Sequence, residues 1–339
     1  HTLIHTSNLY EVPHQSQLGE RLCALAGLEQ VFFANSGAEA NEAAIKLARL
    51  HGHQRGIETP EIIVAENAFH GRTLGALTAT GNAKAQMGFG PLPEGFVRVP
   101  FNDVEAVKAA GSKNTVAVLI EPIQGEGGIR IPDTGYLKAL RKICDEQGWL
   151  LMLDEVQAGI GRTGYWFGHQ HEQINADVIT VAKALANGVP IGACIAGGAA
   201  VGILGPGTHG TTFGGNPLAA RAALAVIEAI GHDDLLERAK VLGERILNGF
   251  KTALADTHGI LDIRGRGLMI GIELHAPCPE LVEKALDAGL LINVTAGSVI
   301  RLLPPLILTD DEADQLVSTL APLITETARA QAGHTPVSV

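Results

Sequence analysis

From residue 31 to about residue 230, short apolar runs take turns with amphipathic segments. The runs are Val31–Ala34, Ile62–Ala65, Val116–Ile120, Trp149–Leu153, Val178–Ala182 and Ile191–Ala196. Each is continuously apolar instead of alternating, as in a strand covered on both faces. Between them, Ala38–Leu50, Tyr136–Gln147 and Pro217–Ile230 repeat their apolar positions at helical spacing. Strand then helix, repeated, predicts an α/β domain built on a mostly parallel sheet sandwiched by helices. After Ile230 the texture changes. Asp233–Ala255 and Pro279–Ala288 read as helices flanking a strand-like run at Leu268–Leu274. Leu290–Val294, Val299–Leu303 and a last helix from Asp310 follow. The expected division is therefore a large domain over 1–230, opening on a lead-in of about 13 residues, and a smaller α+β domain over 231–339.

Length agrees with two domains, because 339 residues exceed what one hydrophobic core usually supports. Glycine is abundant at 41 residues, which predicts many tight turns and close backbone approaches. The formal net charge of −11, with no basic stripe to offset it, argues against a nucleic-acid partner. Cys23, Cys144, Cys194 and Cys278 lie far apart without a Cys-x-x-Cys pair, so reduced, buried thiols and no metal site are expected. No apolar run approaches the roughly 20 residues of a membrane span. The opening His1-Thr2-Leu3-Ile4-His5 lacks the regions of a signal peptide, and a soluble, cytoplasmic protein is the expectation.

Four positions break the local pattern. Asn35-Ser36-Gly37-Ala38-Glu39 lies between a strand and a helix. Ser36 with Glu39 fits a capping box, and the same turn would expose backbone N–H groups that suit a phosphate. Asp154 closes the apolar strand Trp149–Leu153. It is either a turn cap or the partner of a protonated ring nitrogen, with Val156 on the same side against the ring's flat face. Lys183 has apolar neighbours on both sides and a Gly188-Val189-Pro190 turn beyond. It either reaches out to solvent or sits desolvated as a nucleophilic amine. Arg301, inside Val299–Leu303, needs an anion, which an internal carboxylate or a substrate carboxylate would supply. A fifth pattern misleads. Gly159-Ile160-Gly161-Arg162-Thr163-Gly164 matches the dinucleotide-binding spacing, but Tyr165-Trp166-Phe167-Gly168 follows where a helix should begin, so a nicotinamide oxidoreductase is not expected.

Seven strings occur in order along the chain: Asn-Ser-Gly-Ala-Glu-Ala-Asn-Glu at 35–42, Phe-His-Gly-Arg at 69–72, Glu-Pro-Ile-Gln-Gly-Glu-Gly-Gly at 121–128, Leu-Asp-Glu-Val-Gln at 153–157, Ala-Lys-Ala-Leu at 182–185, His-Gly-Thr-Thr-Phe-Gly-Gly-Asn-Pro at 209–217 and Ile-Arg-Leu-Leu-Pro-Pro at 300–305. Together they resemble the class III, ornithine/acetylornithine-type aminotransferases among the fold-type-I pyridoxal-phosphate enzymes. The resemblance implies pyridoxal 5'-phosphate as cofactor and two catalytic residues, Lys183 carrying the cofactor and Asp154 pairing with its ring nitrogen. It implies phosphate contacts from Ser36, Gly37 and Ala38. Phe69 and Val156 would lie on opposite faces of the ring, with His70 beside it and Gln157 near its hydroxyl. Thr212 would reach the phosphate of a neighbouring subunit, making the active unit a homodimer. Arg72 would clamp the donor's distal carboxylate and Arg301 the α-carboxylate of 2-oxoglutarate. Glu126 would cover Arg301 when a basic donor is bound. The implied reaction moves the terminal amino group of N-acetylornithine to 2-oxoglutarate, giving N-acetylglutamate 5-semialdehyde and glutamate, a step of arginine biosynthesis. Succinylornithine, ornithine or 4-aminobutyrate are alternative donors. A binding protein that kept the fold without the chemistry is disfavoured, because Lys183, Asp154 and Arg301 stand together. Family members usually carry a further N-terminal stretch before the position matching His1, which contributes to the small domain and the substrate channel.

Overall fold

The computed structural model describes residues 3–333, so the ends of the lead-in and of the C-terminal segment lie outside the described residues. The chain forms two compact units, each with its own core. The first comprises residues 1–123, 132–160 and 165–233, and the second 124–131, 161–164 and 234–339. The main boundary falls between Asp233 and Asp234, and two short internal segments join the C-terminal unit in addition to the residues expected there.

In chain order the first unit contains α1 (Pro13–Ala26), β1 (Gln30–Ala34), α2 (Gly37–Gln54), β2 (Glu61–Ala65), α3 (Leu74–Ala79), α4 (Ala83–Gln86) and β3 (Phe96–Val99). It continues with α5 (Val104–Ala110), β4 (Thr115–Ile120), α6 (Tyr136–Gln147), β5 (Leu150–Asp154), β6 (Val178–Val181), β7 (Gly192–Ala196) and α7 (Pro217–His232). The sheet order is β1-β7-β6-β5-β4-β2-β3. Strands β3, β2, β4, β5 and β6 run parallel, and every residue of β4, β5 and β6 is buried, which explains sequences that are apolar at all but one position each. Strand β7 is antiparallel to both β6 and β1. The segment 182–191 before it is shorter than the dozen or so residues that a parallel crossover takes. Helix starts follow side-chain chemistry: Ser36 caps α2, Asp103 caps α5, and Asn216 caps α7 just before Pro217.

Strand β3 and helices α1 and α5 escaped the sequence pattern. Three of the four residues of β3 are at least partly exposed and Arg98 lies among them, so no continuous apolar run marks it. The same holds for β8 (Ile260–Arg266) in the second unit, which carries Asp262, Arg264 and Arg266. That unit contains α8 (Leu235–Ala253), β8, β9 (Met269–Leu274), α9 (Leu281–Asp287), β10 (Asn293–Thr295), β11 (Val299–Leu302) and α10 (Asp310–Gly333). Its antiparallel sheet has the order β10-β11-β9-β8. Leu290–Val294, expected as a strand, contributes only its last two residues to β10. Arg264 ties the 124–131 segment into this unit, donating through Nε to the Ile129 carbonyl at 2.8 Å and through Nη1 to Glu273 at 2.7 Å. Gly267 turns the chain between β8 and β9 in the left-handed region, φ +55°, and a Cβ there would lie 2.5 Å from the Thr163 carbonyl carbon.

Cys144, Cys194 and Cys278 are buried and Cys23 is half-buried. Burial pushes the thiols of Cys144 and Cys194 up to about 12, which keeps them in the unreactive protonated form. Among the described residues no helix is long and apolar enough to cross a membrane.

Candidate active site

The first unit holds a cavity of about 400 Å³ at the carboxyl ends of β5 and β6, where open parallel sheets place their ligands. Ser36, Gly37, Ala38, Phe69, His70, Arg72, Asp154, Val156, Gln157 and Lys183 all line it. Ten residues singled out by sequence, from four separate segments, thus meet in one place.

The chain from β1 into α2 forms one wall. Ser36 Oγ accepts the Glu39 amide at 3.2 Å, as a cap should. The Glu39 carboxylate turns to the backbone and side-chain amides of Asn35, at 2.7 and 2.8 Å, so only half of the expected capping box forms. The first amides of α2, at Gly37 and Ala38, have no intrahelical acceptor and stand at the positive end of an 18-residue helix. Gly37 is needed for space: a Cβ there would sit 2.8 Å from Val156 Cγ1.

Asp154 ends β5 and is only 3% exposed. Its Oδ2 accepts Asn41 Nδ2 at 2.7 Å and His70 Nδ1 at 2.8 Å, and its Oδ1 accepts the Val156 amide at 3.0 Å. A buried carboxylate is tolerable only with such donors. His70 reaches the cavity wall, but its ring is committed to Asp154, and Nε2 has no hydrogen-bond partner among the described residues. The His70 amide donates to Thr80 Oγ1 at 2.9 Å.

Phe69 is half-buried, with its amide on Glu121 Oε2 at 3.0 Å. The Arg72 guanidinium lies 5.6 Å from the Phe69 ring centroid. Glu42, on α2, holds the following turn through Thr73 Oγ1 at 2.6 Å and the Ala76 amide at 3.0 Å. Lys183 follows β6 and opens a 3₁₀ turn at Lys183–Ala186. It departs from one expectation, since it is exposed and not desolvated. The apolar residues around it in sequence turn inward, with Ala182 and Leu185 buried, while its own backbone adopts φ +45°. For a non-glycine residue that conformation is costly, and such strain concentrates at working sites.

Three sequence candidates lie outside this cavity lining. Thr212 is exposed, and its carbonyl accepts Asn8 Nδ2 at 3.4 Å. Glu126 and Arg301 belong to the second unit, where Arg301 Nη1 donates to Glu126 Oε1 at 2.5 Å and Nη2 to Asn293 Oδ1 at 3.1 Å. The internal carboxylate is therefore the anion Arg301 meets here. Thr295 Oγ1 in turn donates to the Glu126 carbonyl. The glycine-rich stretch at 159–164 forms turns, with Gly161 at φ +84° and Gly164 at φ +89°.

Sequence reasoning missed Asn41, Glu121 and Thr180. Asn41 had a readable signal, because it shares the apolar face of α2 with Ala44, Ile45 and Ala48, where a polar residue needs a partner. Thr180 is hidden by its strand propensity inside Val178-Ile179-Thr180-Val181.

Comparison with known proteins bears on the same conclusion. The family model described as Aminotransferase class-III matches residues 1–324. An acetylornithine aminotransferase 1 from Bordetella bronchiseptica is 56% identical over 324 residues, covering 95% of this chain and 82% of that protein. A solved ornithine aminotransferase from Toxoplasma gondii shares the fold with a TM-score of 0.92 at 32% identity, over 96% of this chain and 80% of its own. An acetylornithine aminotransferase structure from Elizabethkingia anophelis gives a TM-score of 0.84 at 33% identity, over 96% of this chain and 82% of its own. With a family match across nearly its whole length, the chain belongs to the class-III aminotransferases.

Proposed function

We propose that this protein transfers the terminal amino group of N-acetylornithine to 2-oxoglutarate, using pyridoxal 5'-phosphate held in the cavity of the first unit. The observation that carries the reading is the meeting of the Lys183 amine and the buried, amide-held Asp154 carboxylate in one cavity beside the start of α2. The acetylornithine relatives at 56% identity support the choice of donor.

The residues present fit the cofactor. First-turn amides at Gly37 and Ala38, which lack intrahelical acceptors, suit a phosphate together with the Ser36 cap. Asp154 is a fixed anion suited to a protonated ring nitrogen, and the absent Cβ at Gly37 leaves room for Val156. When bound, the cofactor supplies an aldehyde that links to amines and a ring that takes up the electrons released at the substrate carbon. Lys183 holds the cofactor through Nζ and, once released, carries a proton at that nitrogen, first as base and then as acid. Asp154 would set its charge toward the ring nitrogen, Phe69 and Val156 would hold the ring between them, and Gln157 would serve the ring hydroxyl. Arg72 takes the donor's distal carboxylate and Arg301 the α-carboxylate of 2-oxoglutarate. Two substrates of different charge must use one set of contacts. A movable Glu126–Arg301 pair hides the arginine from one and offers it to the other. We further propose a homodimer in which Thr212 reaches the phosphate of the partner copy. Thr212 is exposed next to Phe213, an aromatic residue that is itself 56% exposed.

A donor panel with 2-oxoglutarate, read by glutamate formation, tests the reading. N-acetylornithine should exceed ornithine, succinylornithine and 4-aminobutyrate in kcat/KM. A clear preference for 4-aminobutyrate would overturn the assignment, and sedimentation as a monomer in the presence of cofactor would overturn the dimer.

A further inference from the structure

We infer that Asn41 is a positioning residue for Asp154 and that Thr180 supports it by satisfying the amide oxygen; the inference rests on the cofactor reading above. Asn41 lies on the buried face of α2 and is 1% exposed. Its Nδ2 donates to Asp154 Oδ2 and to the His70 carbonyl, each at 2.7 Å, and its Oδ1 accepts the Thr180 hydroxyl at 2.7 Å. Both amide hydrogens and the amide oxygen are thus used inside the protein.

The arrangement has a direction. A carboxylate and a carbonyl can only accept, so the Asn41 NH₂ must face Asp154 and His70. Turning the amide over would bring its oxygen against two other oxygens. In the observed orientation the Thr180 hydroxyl donates to the amide oxygen on the opposite side, which would otherwise be buried without a donor. Thr180 is well placed to do so, because it pairs with Asp154 across β5 and β6 and its carbonyl accepts the Glu155 amide at 2.9 Å. The hydroxyl and the carboxylate are therefore fixed to adjacent strands, and Asn41 bridges them from the helix above.

His70 supplies a second donor to the same oxygen, Asp154 Oδ2. With Asn41 and His70 both on Oδ2, the carboxylate cannot rotate about its last bond without breaking two charge-assisted hydrogen bonds. The Val156 amide occupies one acceptor position of Oδ1, and among the described residues the other remains for the cavity. Asn41 thereby acts on the cofactor through Asp154: it holds the charge where the ring nitrogen requires it.

Four variants test this on the full-length protein: Asn41→Ala, Asn41→Asp, Thr180→Val and Thr180→Ser. Three measurements are made on each, namely the rate of cofactor release from the holoenzyme, the pH at which the visible band of bound cofactor changes, and kcat apart from KM. Asn41→Ala removes one hydrogen bond to a charged group and should speed cofactor release about tenfold or more. It should move the pH midpoint of the band and lower kcat, with the KM for N-acetylornithine little changed. Asn41→Asp should be worse, since it sets a second carboxylate against the first. Thr180→Val should show a smaller loss of the same kind, and Thr180→Ser, which keeps the hydroxyl, should recover most of it. Asn41→Ala with wild-type release rate and band midpoint overturns the inference, as does Thr180→Ser behaving like Thr180→Val. If Asn41→Ala fails to fold, the Thr180 pair decides in the same way. A wild-type protein that binds no pyridoxal phosphate overturns this inference and the cofactor reading together, whereas variants equal to a cofactor-binding wild type overturn this inference alone.

Discussion

Two carboxylates, Asp154 and Glu126, are held in opposite ways. Asp154 is 3% exposed and receives N–H bonds from α2, from the segment after β2 and from its own chain two residues on. The Glu126 side chain is 38% exposed and meets a cationic partner on a strand of the same unit, Arg301. Burial makes each donor to Asp154 expensive to lose, because an unpaired charge out of water costs several kcal/mol. The Glu126–Arg301 pair, with one side chain 38% exposed, is less deeply buried than the Asp154 cluster and should open at lower cost. The contrast matches the tasks proposed for them. A counter-charge to a bound ring must stay in place through every cycle, and a gate between two substrates must move twice in each.

The largest effect expected is at the amine beside the fixed carboxylate. Lys183→Ala should reduce glutamate formation to background while the far-ultraviolet circular dichroism stays that of the wild type, because an exposed side chain contributes little to the core. Next is Asp154→Asn. The change removes the charge, and the new NH₂ must also face a donor, either Asn41 with His70 or the Val156 amide. A loss in kcat of about 10²–10³ is expected, the range for deleting one preorganised electrostatic contact. Wild-type turnover in Asp154→Asn would mean that the fixed carboxylate is not the electronic control, and the contrast with Glu126 would lose its basis.

The movable pair should respond differently. Arg301→Ala should raise the KM for 2-oxoglutarate by about 10- to 100-fold, the equivalent of one charge-assisted contact at roughly 1.5–3 kcal/mol. The half-reaction with N-acetylornithine should change far less. Glu126→Gln keeps the shape and removes the charge, so its effect should fall on the donor: a raised KM for N-acetylornithine and an unchanged or lowered KM for 2-oxoglutarate. Equal changes for both substrates in either variant would show that the pair is a static brace.

Legibility in the sequence followed the same physical line. Elements covered on both sides, such as β4, β5 and β6, announce themselves because all but one residue of each is apolar. Half-exposed β3 and β8 carry arginines and aspartate within the strand and do not. The direction of β7 was equally hidden, because it depends on the length of the return path and not on the strand's own residues. In the cavity, Asp154 and Lys183 stood out by interrupting apolar runs, Ser36 by its capping turn, and the motif strings brought Phe69 and Gln157 with them. The supporting residues stayed out of sight. Asn41 interrupts the apolar face of α2, a weaker signal among small alanines, and Thr180 looks like any strand residue until its hydroxyl finds an acceptor. Chemistry that breaks a pattern is readable one residue at a time, whereas which group it supports is readable only as a contact between distant segments.

The smallest expected effect separates the two carboxylates without a mutation. Mobile ions shorten the reach of charges from about 30 Å at 0.01 M to 3 Å at 1 M, and they act on groups that water reaches. Raising sodium chloride from low concentration to about 0.5 M should therefore loosen Glu126 from Arg301, whose side chains are 38% and 10% exposed. The affinities for 2-oxoglutarate and N-acetylornithine should shift by a few-fold, in step with the exposed-pair range. The Asp154 cluster, with His70 at its side and both side chains almost wholly buried, should not respond. Its signature is the pH midpoint of the visible band of bound cofactor, which should hold constant across the same salt range. A midpoint that drifts with salt while the substrate affinities stay fixed would reverse the two assignments, making Asp154 the responsive charge and the Glu126–Arg301 pair the rigid one.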